Sequence, residues 1–279
     1  MAFVPDELIT GASDLAEEQP AYDTTVAHPA RVYNYWLGGK DNFAADREAG
    51  DATKAAYPGI VAGVQAQRRV LASAVRYLVT QAGIRQFLDI GTGLPVENNT
   101  HEVARSLAPE SRILYVDNDP MVLAHARALL TSTPAGTCAY LDADIRDTGK
   151  LLAAAAGPLD FSQPIALMLV GILQLIPDSD DPARIVARLL GAVPAGSWLT
   201  IVHPANDVAV DQMATLVKQY NERVPTMTTL RNHAEISAFF TGTEILAPGV
   251  VQLHRWRPGE PARPAEGEVP AYCGLGRKP

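Results

Sequence analysis

Cysteine is almost absent from this chain of 279 residues. Cys138 and Cys273 stand alone and far apart, which excludes a disulfide scaffold and any CxxC metal knuckle. Basic residues are outnumbered: 23 Lys and Arg face 31 Asp and Glu, for a formal net charge of -8. General nucleic-acid binding needs cations clustered against phosphates, so it is not expected. Long hydrophobic runs are missing. The most apolar stretch, Ile165 to Ile176, is well short of the ~20 residues of a spanning helix, and the N-terminus has neither the basic nor the apolar region of a secretion signal. Several catalytic signatures are missing too. LGGKDN fails as a phosphate loop at Asn34 and at Asp41, His101–Glu102 has no second histidine for a zinc motif, and no GxSxG elbow occurs. Asn98-Asn99-Thr100 spells a glycosylation sequon without a secretory context. These absences leave the expectation of a cytoplasmic enzyme that does not engage a membrane. Its length suits one large domain with an appendage.

Three regions follow one another. Residues 1–28 carry Asp6, Glu7, Asp14, Glu17, Glu18 and Asp23 before the first basic residue, Arg31, and read as an acidic, weakly ordered arm. Residues 29–83 read as a helical cap. They begin with the aromatic-rich RVYNYWLGGKDNFAADREAGD and end in an amphipathic helix, with Val61, Val64, Leu71, Val75 and Leu78 at helical spacing and polar Gln67, Arg68 and Arg76 between them. From residue 84 onward β-rich runs alternate with helical runs. QFLDI, RILYV, TCAYL, PIALMLV and SWLTIV are each followed by a helix, which implies βαβ units and a parallel sheet. The rhythm breaks after Phe240. TEILAPGVVQLHRW and AYCGLGRKP have no helix between them and should pair antiparallel. Five parallel strands with an antiparallel end is the outline of a Rossmann-like methyltransferase.

The chemistry concentrates where the strands end. In FLDIGTGLP the first strand stops at Asp89–Ile90, and Gly91 and Gly93 allow a tight turn close to a ligand. A dinucleotide fingerprint would require a third glycine at Val96, so NAD is disfavoured. S-adenosylmethionine has no pyrophosphate to cradle and carries a cationic ammonium and sulfonium, which an acid at Asp89 suits. In ILYVDNDP, Asp117 ends the second strand, where a carboxylate can accept from both ribose hydroxyls. In YLDADIRD, Asp144 follows the third strand, where it can accept from an adenine amino group. His203, after the fifth strand, is a candidate general base. His125 and His254 read as surface or packing residues, and Cys138 as a small core residue.

These segments carry a resemblance. RVYNYWLGGKDNFAADREAGD, FLDIGTGLP, NNTHEVA, YVDNDPMVLAHARALL, DADIRD, IPDSDDPARIVARLL and the closing GLGRKP resemble the actinobacterial S-adenosylmethionine-dependent methyltransferase-like family known as domain of unknown function 574, from about His28 to Pro279. The resemblance implies a class I methyltransferase fold, an α/β sandwich with strand order 3-2-1-4-5-7-6 and an antiparallel strand seven. It implies that Asp89, Gly91, Thr92 and Gly93 line the methionine end of the cofactor, Asp117 and Asn118 the ribose, and Asp144 and Ile145 the adenine. In one respect the chain departs from it. Where the family often has a histidine after the fourth strand, GILQLIPD carries Gln174, so a catalytic imidazole is absent there. The expected activity is methyl transfer to a small-molecule acceptor, the alternative being a catalytically silent S-adenosylmethionine-binding regulator. The cap is expected to close over the site, with Gly38-Gly39 as hinge and Tyr33 and Lys40 nearest the ligands; Tyr33 is a second candidate base.

Overall fold

A computed structural model describes residues 8–9, 23–129, 136–259 and 268–279 of the chain. At its centre five short strands lie parallel: β2 (Gln86–Ile90), β3 (Arg112–Asp117), β4 (Cys138–Asp142), β5 (Ala166–Val170) and β6 (Trp198–Pro204). Their apolar runs allow burial from both faces, and β2 is buried at every position. β9 (Ala271–Arg277) runs antiparallel to β6 over seven residue pairs, from Trp198 opposite Arg277 to Pro204 opposite Ala271. The order β4-β3-β2-β5-β6-β9-β7 reproduces the expected 3-2-1-4-5-7-6 arrangement. Two details differ. The expected sixth strand is split into β7 (Glu244–Ile245) and β8 (Val251–Gln252), both antiparallel to β9, because Pro248 and Gly249 interrupt the run. In addition β1 (Leu8–Ile9), inside the arm expected to be weakly ordered, pairs antiparallel with β4 at the opposite edge. Residues 1–7 and 10–22 of that arm, and the proline-rich stretch 260–267, lie outside the described residues.

Helices cover both faces. On one side α3 (Ile60–Thr80), α4 (Thr100–Leu107) and the start of α5 (Pro120–Leu129) pack Val75, Leu78, Val103 and Val122 against Phe87, Ile113 and Met168 of the sheet. On the other, α6 (Thr148–Ala155), α7 (Pro182–Ala192) and α9 (His233–Ala238) bring Leu151, Leu189 and Ile236 against Leu88, Leu114 and Leu167. α3 therefore belongs to the main core, and residue 83 does not mark the edge of a separate cap. α1 (Pro29–Trp36) and α2 (Ala44–Ala56) are different. Val32 and Ala49 form a small cluster with Tyr220 of α8 (Val210–Asn221) and with Val224. The pair is fastened by Asp46, fully buried, whose carboxylate accepts from Arg31 Nε at 3.0 and 3.1 Å and from the backbone N–H groups of His28 and Phe43 at 2.9 and 2.8 Å. Among the described residues no helix is long and apolar enough to cross a membrane.

Candidate functional site

The carboxyl ends of β2, β3, β4 and β5 open into one cavity of about 620 Å³, a size typical of small-molecule sites. The sheet forms its floor, α1 and α3 one wall, and α8 with the segment 225–230 another. The floor is built by turns that the local sequence dictates. After β2 the chain must reverse towards α4, and Gly91 and Gly93 take φ values of 74° and 65° that side chains rarely adopt. A Cβ on Gly91 would come within 2.6 Å of the Ile172 side chain, so this turn and the one after β5 are pressed together. The Gly93 N–H donates to Asp117 Oδ2 at 2.8 Å, and the Asp119 N–H to Asp117 Oδ1 at 3.0 Å. The backbone therefore aims the Asp117 carboxylate across the glycine turn.

Charge in this floor is crowded and poorly solvated. Burial pushes the Asp89 carboxyl up to about 6, against a hydrogen bond from Thr100 Oγ1 at 2.6 Å that favours the charged form. Burial also raises Asp117, opposed by the two backbone donors. Two buried carboxylates of raised pKa make a site whose field favours a cation. Asp144 behaves otherwise. Its carboxylate is held by the side chain and backbone N–H of Arg146, and the side-chain bond keeps its pKa below the usual range. Asn118 Nδ2 lies 3.4 Å from the same carboxylate, and Arg146 reaches on to Asp180. Thr92 and the buried Ile145 complete this part of the lining.

The cap contributes as well. Tyr33 lines the cavity, and burial pushes its hydroxyl up to about 12, so it is a neutral donor, not a base. Lys40 does not line the cavity and stands exposed, contrary to its expected place beside the ligands. The expected hinge is also corrected. Buried Asn34 accepts from the Asp41 N–H at 3.1 Å and from Asn42 Nδ2 at 3.0 Å, and its carbonyl accepts from the Gly39 N–H at 2.9 Å, which ties the Gly38–Asn42 loop down. His203, the candidate base, is fully buried outside the lining. Its Nδ1 is 2.7 Å from the Pro204 carbonyl and its Nε2 is 2.9 Å from Arg231 Nη1, while burial pulls its pKa down to about 4. With both nitrogens engaged it is a packing residue, and the expectation of a base there is withdrawn.

Two lining residues received no role from the sequence. Arg68 Nη2 donates to the carbonyls of Glu97 and Asn98 and to Asn99 Oδ1 at 2.9 to 3.1 Å, and its Nε is buried without a partner. Gln67 Nε2 reaches the Val170 carbonyl at 3.4 Å. Their signal was readable. In a helix, positions 67 and 68 share a face with Val64 and Leu71, so these polar side chains sit on the stripe that faces inward.

A family model described as S-adenosyl methyltransferase matches residues 15–279. The chain belongs to that family. A domain-of-unknown-function-574 protein from Streptomyces avermitilis is 41% identical, with 92% of this chain and 99% of that one covered and a TM-score of 0.85. A methyltransferase-like protein from Thermobifida fusca is 38% identical over 92% and 96% of the two chains, with a TM-score of 0.84. The plantazolicin methyltransferase, solved with S-adenosylhomocysteine bound, shares the fold at 12% identity and a TM-score of 0.50. Among curated proteins none matches. The cofactor of this methyltransferase family is S-adenosylmethionine, and the floor fits it. Buried Asp89 and Asp117 suit its cationic end, the orphaned Nε of Arg68 suits a carboxylate, and the glycine turn leaves room, with no atom within 4 Å of a Cβ built on Gly93.

Proposed function

We propose that this protein transfers the methyl group of S-adenosylmethionine to a small-molecule acceptor held in the same cavity. One observation carries the reading: the acids and glycines of the strand ends line the same cavity as the aromatic residues of the cap. Asp89, Gly91, Thr92 and Gly93 would receive the methionine end, with Arg68 on its carboxylate. Asp117 and Asn118 would hold the ribose, and Asp144 and Ile145 the adenine. When bound, the cofactor supplies a methyl group on a sulfonium already activated for in-line displacement. The work left to the chain is to hold both reactants in line and to exclude water, for which Tyr33 and Trp36 of α1 close the space above the strand ends.

The activity is tested by S-adenosylhomocysteine release with fractionated cell extract as acceptor source. Release driven by a low-mass fraction is expected; release driven only by macromolecular fractions contradicts a small acceptor.

Two consequences are specific to residues. Asp117→Ala is expected to weaken S-adenosylmethionine binding by roughly 1.5–3 kcal/mol, the range for hydrogen bonds to a charged group, or about ten- to a hundred-fold. The sheet should hold, since the carboxylate packs little against it; melting beside the wild type checks the turn that it braces through the Gly93 and Asp119 N–H groups. Calorimetric titration checks the affinity, and unchanged affinity in a folded variant removes Asp117 from the ribose role.

The second concerns pH. The Asp89 carboxyl titrates near 6 in the folded protein, raised by burial. Its ionised form is the one that attracts an ammonium, so cofactor affinity should be full at pH 7 and above. It should fall as pH drops below 6, by roughly tenfold between pH 7 and pH 5. The apoprotein responds in the opposite sense. A carboxyl whose pKa is higher folded than unfolded costs stability once ionised, so Asp89's own contribution improves as pH falls from 6 towards 4. Titrations at pH 5, 6 and 7, repeated with Asp89→Asn, separate this group from the others; a flat wild-type profile contradicts its role.

A further inference from the structure

The cavity is charged on one side only. Among the described residues its ionisable lining apart from tyrosine consists of His28, Arg68, Asp89, Asp117, Asp144 and Arg146. The acids and Arg146 belong to the strand ends, Arg68 is bonded to the loop after β2, and His28 Nδ1 lies 2.8 Å from Asp119, two residues beyond Asp117. All of these serve the cofactor side. Among the described lining residues, those of the opposite wall, from α1, α8 and the segment 225–230, include Tyr33, Trp36, Met213, Leu216, Tyr220 and Met227 and carry no charged side chain. Trp36 and Tyr220 lie with ring centroids 6.2 Å apart, tilted by 38°, and join the two halves of this wall. A charged acceptor would find no counter-ion among these residues, and burying an unpaired ion is costly. A flat apolar ring would find aromatic and thioether partners.

The hydrogen-bonding centre beside this wall is Gln174. Its Nε2 donates to the Gly171 carbonyl at 2.6 Å, which fixes the amide, and its Oε1 is buried with no partner. The turn that carries it is rigid. Arg231 donates to the carbonyls of Leu173 and Ile176 at 2.9 and 2.8 Å, and the Thr229 N–H donates to the Gln174 carbonyl at 2.7 Å. An unsatisfied buried acceptor on a fixed turn calls for a donor from the ligand. An amide oxygen can accept such a hydrogen bond but cannot remove the proton. The tyrosines of the cavity lining do not help: burial raises Tyr33, Tyr57 and Tyr220 alike, away from the basic form.

Deepening the methyltransferase reading above, on which it rests, we propose that the acceptor is an uncharged aromatic amine, with its ring on the Trp36–Tyr220 wall and its N–H on Gln174 Oε1. A neutral arylamine needs no base to attack, whereas a hydroxyl does. The nitrogen lone pair forms the N–C bond as the S–C bond breaks, and that bonding pair stays on sulfur as the neutral thioether. The methylated nitrogen is then cationic and sheds its N–H proton to water. Gln174 is a positioning residue: it turns the lone pair towards the methyl group.

The test uses the full chain loaded with S-adenosylhomocysteine and three probes of one shape: naphthylamine, naphthol and naphthoate. By calorimetry naphthylamine should bind at least about tenfold more tightly than naphthoate. Gln174→Met, near in volume, should weaken naphthylamine about five- to tenfold and leave S-adenosylhomocysteine affinity unchanged. With S-adenosylmethionine in place of the product, mass spectrometry should find methyl transfer to naphthylamine and none to naphthol. Equal or stronger binding of naphthoate, methylation of naphthol, or indifference to Gln174→Met overturns the proposal. So does binding of the cofactor product with no probe bound, while the methyltransferase reading stands. Absence of cofactor binding defeats that reading itself. If Gln174→Met melts early, the wild-type ranking of the probes still decides.

Discussion

Replacing Gly91 by valine is expected to abolish measurable binding of S-adenosylmethionine, a loss of more than about a hundredfold. Two effects act together. At φ 74° a β-branched residue is held in a conformation that only glycine adopts without strain. Even the first side-chain atom would stand 2.6 Å from Cβ, Cγ1 and Cδ1 of Ile172, and because Cβ is fixed to the Ile172 backbone, rotating that side chain alone cannot relieve the contact. The turn must shift, and with it the Gly93 N–H that aims Asp117 and the contact between the turns after β2 and β5. Local damage is distinguished from unfolding by melting the variant beside the wild type. A variant that melts normally and still binds the cofactor normally would exclude the glycine turn from the site. Gly93 provides the internal comparison, because a Cβ there meets nothing within 4 Å. Gly93→Ala should suffer backbone strain without a clash, and its loss should be the smaller one.

Asp46→Ala should cost about 3–5 kcal/mol, the penalty for leaving a buried partner charge uncompensated. Arg31 is 3% exposed and Asp46 fully buried, so water cannot replace the lost carboxylate. Arg31 would keep its hydrogen bonds to the carbonyls of Asp23 and Val26 and its place over the Phe43 ring but no counter-charge from Asp46, and the N–H groups of His28 and Phe43 would lose this acceptor. The damage should be confined at first to α1 and α2, whose own apolar cluster is small, while α3 stays in the main core. Hydrogen exchange should therefore show early opening of residues 29–56 with the sheet still protected, and cofactor retention should fall because Tyr33 and Trp36 leave the cavity wall. Unchanged melting together with unchanged exchange in α1 and α2 would contradict the role given to Asp46. Asp46→Asn, which keeps one acceptor oxygen, should lie between the two.

The sheet was legible because a parallel strand covered on both faces must be apolar along its length, and QFLDI through SWLTIV announce this. The antiparallel end was legible from the lack of a helix before AYCGLGRKP. A strand of two residues has no periodicity, which is why Leu8–Ile9 was read as part of a loose arm, and why the break between β7 and β8 did not show. At the site, Asp89, Asp117 and the glycines stood out because a turn after a strand concentrates rare residue types in a few positions. Arrangements made by residues distant in sequence did not. Nothing near SWLTIVHP indicates that Arg231 will occupy one nitrogen of His203, and nothing in LGGKDN that Asn34 will fasten the loop and leave Lys40 outside. Arg68 lay between these cases: its place on an inward helical stripe was visible, but its partners in the loop after β2 were not.

A crystal structure of the full chain with S-adenosylhomocysteine is the most direct test of the central claim, that one cavity holds the cofactor on the strand ends and leaves the aromatic wall for the acceptor. The ribose hydroxyls should meet Asp117, the methionine end should lie over the Gly91–Gly93 turn with its carboxylate at Arg68, and the thioether sulfur should face the space between Gln174 and the Trp36–Tyr220 wall. A ligand bound elsewhere, or one whose sulfur points away from that wall, would contradict it.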